Sequence, residues 1–261
     1  MKMKREYTGN LTNHFGKIVA VSGEAVTKDF GGGIRANSLK EICNCDKIEI
    51  DPHSQLRKRS AYFMNEKFFD LKKEKQDRMM NAALKIFAEN GFRRASTDEM
   101  VKEAGISKGL LFHYFTSKTG LYGFLYDYSV KYMMMEMTSL VNGTETDYFH
   151  IRKQVEKAKC EAMKNFPYMQ LFLQQAERED APEAVEVMRE PAEALLAMYD
   201  TIYGRVSFDG MIAMPSERLV KIVEYTLSGL LAEMIGEPRF APEAYYKEAC
   251  RYLEALEQAC M

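Results

Sequence analysis

From residue 64 to the end of the 261-residue chain, the sequence predicts an all-α protein. Three observations carry that expectation. Met80, Ala83, Leu84, Phe87 and Ala88 recur at i, i+3, i+4, i+7 and i+8, one apolar stripe on a helix of 3.6 residues per turn. Pro167, Pro182, Pro215 and Pro242 stand at the starts of long uninterrupted stretches, where the missing N–H of a first helical turn costs nothing. After residue 64 there is no alternation of apolar and polar residues long enough for a strand.

The elements follow in order. A first helix begins near residue 72 and carries the stripe just named. Asn90-Gly91 supplies its stop, because glycine tolerates the left-handed conformation of a helix end. Phe92 then folds back as an apolar anchor. Thr97 precedes DEMVKEA and reads as an N-cap followed by acids suited to the positive end of the helix dipole. Gly105 interrupts this second helix, Ser107 caps KGLLFHYF, and Ser117 caps a fourth helix from Lys118. Further helices are expected at 119–141, 147–165, 167–178, 182–204, 215–235 and 241–259, with Asn142-Gly143 between the first two of these.

Residues 1–63 read differently. They contain GGG at 31–33 and no sustained helical period, and KIVAV (17–21) and KIEID (47–51) are isolated strand-like runs. A poorly structured extension is the expectation, and Met64, followed by NEKFFDLKKEKQDR, reads as a natural start, so that the first 63 residues need not be native. The domain organisation is then 1–63 extension, 64–118 a small helical domain, and 119–261 a larger one. The five cysteines are odd in number and scattered, which is no disulfide framework and fits a reducing cytoplasm. Cys43 and Cys45 make half a metal site at most. No apolar run is long enough for a membrane span, and MKMKREYTGN lacks the apolar core of a secretory signal.

The stretch GISKGLLFHYF (105–115) carries most of the functional information. A short helix, a glycine-containing turn and a second short helix make a helix-turn-helix. In that unit the first helix braces the second, whose N-terminal half enters the DNA major groove. Helical spacing puts Ile106, Leu111 and Phe115 on an inner face, against Met100, Ala104 and Phe87. Lys108, Gly109, Phe112 and His113 fall outside it, and Gly109 lets another backbone approach closely. Charge agrees in direction. Residues 64–120 hold 11 Lys/Arg against 8 Asp/Glu and residues 1–63 hold 11 against 7, whereas residues 121–261 hold 14 against 23, for a net −2 overall. A polyanion contact therefore belongs to the front of the chain.

ALKIFAENGFRRASTDEMVKEAGISKGLLFHYFTSKTGL (83–121) resembles the DNA-binding domain of TetR-like transcriptional regulators, without a gap. The helix end at Gly91, Thr97, Ala104-Gly105-Ile106-Ser107, the aromatic cluster and Ser117-Lys118 are all in register. The resemblance implies roles. Thr97 would cap its helix and bond a phosphate, and Lys108, Gly109 and Leu110 would lie where bases are read. His113 and Tyr114 would touch phosphates or base edges, and Lys118 would clamp the DNA backbone. Phe112 stands where the family usually has tyrosine, so a phenolic phosphate contact is lost while the ring can still meet a thymine methyl. Leu110 replaces a smaller or hydroxylated residue, and Val101 replaces alanine in the bracing helix.

The larger region is rich in methionine and aromatic side chains, which adapt to varied apolar shapes. Most of these are ordinary core. The resemblance implies a cavity for a small-molecule effector, with Tyr132, Met133, Met137, Tyr168, Met169, Phe172, Met188 and Tyr199 as candidate lining. Leu219, Ile222, Val223, Leu227, Leu230 and Met234 form a stripe that Leu253 and Leu256 continue, and the family places such helices at a homodimer interface. The expected protein is thus a DNA-binding repressor of a palindromic double-stranded operator, released by a small apolar or amphipathic ligand, with no cofactor. An all-α enzyme or an adaptor using the aromatic helix is the alternative. HExxH, Glu-x-x-His and paired Cys-x-x-Cys patterns are all missing from the sequence.

Overall fold

The computed structural model describes residues 64–208, 214–237 and 239–260, so the expectation of a poorly structured extension over 1–63 lies outside the described residues. The described residues form α1 (Lys73–Arg94), α2 (Thr97–Ala104), α3 (Lys108–Tyr114), α4 (Lys118–Leu140), α5 (Tyr148–Asn165), α6 (Met169–Ala176), α7 (Pro182–Tyr203), α8 (Ser216–Ile235) and α9 (Pro242–Cys260), with a 3₁₀ turn at Glu66–Phe68 before them. Among these residues β-structure is limited to two isolated bridges.

Helix ends fall where cap chemistry puts them. Ser107 accepts from the Leu110 N–H at 3.2 Å and Ser117 from the Gly120 N–H at 3.0 Å. The cap of α2 differs by one residue. Ser96, not Thr97, has the extended backbone a cap needs (φ −96°, ψ 124°) and receives the Glu99 N–H, leaving Thr97 as the first helical residue. Gly91 has φ +68° and kinks α1 one turn before its end. Pro191 sits inside α7, buried, at a position that forgoes one backbone hydrogen bond.

Packing is continuous across residue 118. One apolar core runs from Met64 through α1–α4 and into α5, α6 and α7. α1 is covered by α2 on one side and by α6 and α4 on others, so burial extends beyond its expected stripe to Met79, Ala82 and Ile86. A second core joins Tyr148, Phe149 and Met163 of α5 to Leu219, Val223, Leu227 and Leu231 of α8 and Tyr245, Ala249 and Leu253 of α9.

Candidate functional site

Helix α3, the expected reading helix, is built from its turn outward. Gly105 has φ +63°, and its N–H bonds the Lys102 carbonyl while the Ile106 N–H bonds the Val101 carbonyl. This pair of bonds closes α2 and sets the angle at which α3 departs. Leu111 and Phe115 are buried as the spacing required, and Leu110 is half-buried against the same core. The far end of α3 is pinned by a segment with no such role in the sequence reading. The Asn65 N–H donates to the Tyr114 carbonyl at 2.7 Å, and the buried Phe68 ring lies 5.1 Å from Phe115 and 5.7 Å from both Tyr114 and Phe124.

The outer side of α3 is Lys108, Gly109, Phe112 and His113, all exposed. Nothing within 4 Å would meet a Cβ at Gly109. Lys108 pairs with Asp98 of α2 at 2.9 Å, both ends in solvent. Such a pair is worth at most about 1 kcal/mol, so a phosphate can displace it. Thr97 is half-buried at the start of α2.

Two expected contacts sit elsewhere. Tyr114 is buried, its ring edge-on to Phe68 and 5.0 Å from His113, because the segment before α1 covers that side of α3. The Lys118 ammonium donates to the Arg93 carbonyl at 3.2 Å and the Ala95 carbonyl at 3.0 Å, and stands 4.8 Å over the Phe92 ring. Burial lowers its pKa. Lys118 therefore ties the start of α4 to the end of α1, which leaves at most one N–H for the expected phosphate contact.

α6 supports the helix-turn-helix through α1 and α4. Phe172 is fully buried against Phe87 of α1 and Tyr122 of α4. Beyond the helix end, the Glu179 carboxylate accepts the Phe92 N–H at 2.8 Å, and Asp180 pairs with Arg93 at 3.3 Å. In the same turn, burial and the nearby Glu224 charge push the Glu177 carboxyl up to about 7 from an ordinary 4.5. The folded chain thus holds a proton that the unfolded chain releases. This group's contribution to stability is complete below about pH 4.5 and is lost as the pH rises through 7, by roughly 3 kcal/mol at about 1.4 kcal/mol per unit. Glu177→Gln is expected to melt above the parent at pH 8 and level with it at pH 4.5. Equal melting temperatures at pH 8 would place the carboxyl in solvent.

Of the expected effector set, Met133, Met137, Met169, Phe172 and Met188 are buried in the main core, and Tyr132, Tyr168 and Tyr199 are half-buried at its edge. Tyr132 accepts from Asn165 at 3.0 Å. The body also contains what the sequence reading passed over, a buried charge network on α5. Arg152 reaches Glu224 at 2.6 Å and the Tyr203 hydroxyl at 3.1 Å, and Glu156 receives Lys159 at 2.8 Å and the Tyr245 hydroxyl at 2.7 Å.

Of the expected interface set, Leu219, Val223, Leu227 and Leu253 lie in the chain's own second core, while Ile222, Leu230, Met234 and Leu256 are half-buried. The first four are covered by α5 and by each other's helices, so they offer no free area to a second copy. Among exposed charged residues such as Lys221, Glu233, Arg251 and Glu254, α8 and α9 also leave outside Tyr225, Gly229 and Ala232, and Tyr252, Ala255 and Ala259, with Tyr225 74% and Tyr252 47% exposed.

Among the described residues no helix is long and apolar enough to cross a membrane. A family model described as bacterial regulatory proteins of the tetR family matches residues 79–123, which span the last two-thirds of α1 through the start of α4. Over 44 residues the chain is 50% identical to the HTH-type transcriptional regulator UidR of Escherichia coli strain K12, a match covering 17% of this chain and 22% of that protein. It is 45% identical over 49 residues to the uncharacterized HTH-type transcriptional regulator YuxN of Bacillus subtilis strain 168, covering 19% of this chain and 17% of that one. The match thus spans about a fifth of the length of these curated relatives. The fold extends further: a TetR family transcriptional regulator from Chloroflexus aurantiacus J-10-FL superposes with a TM-score of 0.54 at 19% identity, over 76% of this chain and 96% of that one. Residues 79–123 thus match the tetR family in sequence, and the helical body shares the fold of a TetR family regulator.

Proposed function

We propose that the chain is a homodimeric transcriptional repressor that binds a palindromic duplex operator through α3 and leaves it when a small apolar or amphipathic ligand enters the body. The observation that supports this most is the outer face of α3. A capped, rigidly tied helix presents Lys108, Gly109, Phe112 and His113 to solvent at its groove-facing end. A buried structural helix would have no use for that face. One such helix covers few base pairs, so useful specificity requires two copies. The small and aromatic residues left outside on α8 and α9 suit that pairing. Ligand release needs little energy: a hundredfold loss of operator affinity corresponds to about 2.7 kcal/mol of coupling.

Selection of bound sequences from random duplex DNA is the decisive experiment, and a palindrome is expected. Lys108→Ala and His113→Ala should change which sequences are recovered. Lys118→Met keeps the stem over Phe92 but leaves two carbonyls without a donor, at about 1–3 kcal/mol. It should lower the melting temperature and weaken all duplexes by similar factors without changing the recovered sequence. Unselective recovery, or the same response from all three variants, would count against α3 as the reading element.

A further inference from the structure

We propose that the Tyr148–Arg152 corner of the body binds a small uncharged ligand that presents a carbonyl or amide oxygen, an inference that rests on the reading of the body as the effector domain. Tyr148, Arg152, Glu156 and Lys159 occupy one face of α5 at i, i+4, i+8 and i+11. Tyr203 of α7, Glu224 of α8 and Tyr245 of α9 meet that face.

The guanidinium is only half used. Arg152 is 2% exposed, and its Nη1 serves Glu224 and Tyr203. Its Nη2 lies 3.0 Å from Glu156 in an ion-pair contact without a hydrogen bond, and its Nε has no hydrogen-bond partner. Glu156 does not complete the pairing, because Lys159 and the Tyr245 hydroxyl hold its two oxygens. Nε and Nη2 carry the parallel N–H groups of one guanidinium edge, which bind an oxygen-bearing group side-on. The Tyr148 hydroxyl, on the same helix face, is also buried without a partner. Nε and the Tyr148 hydroxyl are therefore buried on one helix face without an acceptor from the chain, and Nη2 beside them has only its ion-pair contact with Glu156. Buried polar groups are ordinarily satisfied, so this cluster calls for an acceptor from outside.

Charge decides the class. Arg152 and Lys159 are matched by Glu156 and Glu224, so the network is already neutral. Glu177, the next carboxyl toward α6, keeps its proton up to about 7 through burial and the Glu224 charge. An added carboxylate would meet the same opposition, and a cation would face the guanidinium. A neutral acceptor meets neither. Tyr199 and Tyr203, stacked at 6.2 Å, and Tyr148 and Phe208, 5.2 Å apart, supply aromatic walls for a planar or apolar remainder.

Three isosteres separate the charge classes: benzamide, benzoate and benzamidinium, titrated into the full chain by calorimetry and thermal shift. Benzamide is expected to bind at the millimolar level of a fragment this size, and at least tenfold tighter than either charged analogue. Tyr148→Phe keeps the ring and removes one donor. It should leave the unliganded melting temperature unchanged or raised, and weaken benzamide roughly three- to tenfold. Tightest binding by benzoate or benzamidinium, no binding by any of the three, or an unchanged benzamide affinity in Tyr148→Phe would each overturn the proposal. Duplex binding is measured on the same preparations. A chain that takes benzamide as expected but ignores duplex DNA would overturn the regulatory reading and leave the site standing.

Discussion

Leu227→Glu is expected to cost the chain its fold, and not only a partner. Leu227 is 2% exposed, packed with Leu219, Val223 and Leu231 of its own helix against α5 and α9. Removing the leucine side chain there costs about 2–5 kcal/mol. Burying a carboxylate in its place adds several more unless the group is protonated or escapes. Against a total stability of about 5–15 kcal/mol, the folded state does not survive comfortably. Tyr225→Glu is the contrasting variant, since that side chain is 74% exposed. It should melt close to the parent, sediment as a monomer and lose operator affinity although α3 is untouched. The pair is read by circular dichroism melting and sedimentation. A folded, monomeric Leu227→Glu would mean that Leu227 faces a partner and not its own core.

That contrast shows where a sequence stops being legible. Helical period finds an apolar stripe but not the neighbour that covers it. Leu219, Val223 and Leu227 read as an interface because no other covering surface is visible in one dimension, whereas α5 and α9 supply it in three. Helix positions were far more legible, because their signals are local. Ser107, Ser117, Pro182 and Pro242 mark the starts of α3, α4, α7 and α9 within a residue. Even there, two adjacent hydroxyls, Ser96 and Thr97, could not be ranked as caps without backbone angles.

The exposed half of α3 was legible for the same local reason: Lys108, Gly109, Phe112 and His113 fall outside the apolar positions of one short helix. Tyr114 and Lys118 were not, since their surroundings come from distant segments, Asn65–Phe68 for one and the Arg93–Ala95 carbonyls for the other. Arg152, Glu156 and Lys159 show the limit most clearly. At helical spacing they look like a solvated charged face, and only the docking of α8 and α9 buries them.

Phe172→Ala is expected to loosen the reading domain from the body. Phe172 was expected among the residues lining an effector cavity, but its ring is fully buried 6.2 Å from Phe87, 5.2 Å from Tyr122 and 6.3 Å from Tyr126. Truncating such a ring costs about 3–5 kcal/mol. At about 2–4 °C per kcal/mol for a domain of this size, the melting temperature should fall by roughly 10 °C. The functional consequence follows from the packing. α2 and α3 reach the body largely through α1, and α1 rests on α6, where Glu179 also holds the Phe92 N–H at 2.8 Å. A cavity at Phe172 removes the rigid part of that seat and leaves the hydrogen bond, so α3 should still read the same sequence with lower affinity. Phe172→Leu restores much of the volume and should recover most of both losses. Melting curves and duplex titrations of the two variants test this together. If Phe172→Ala weakens operator binding no more than Phe172→Leu does, α1 takes its position from α4 alone, and α6 is not the element through which the body holds the reading helix.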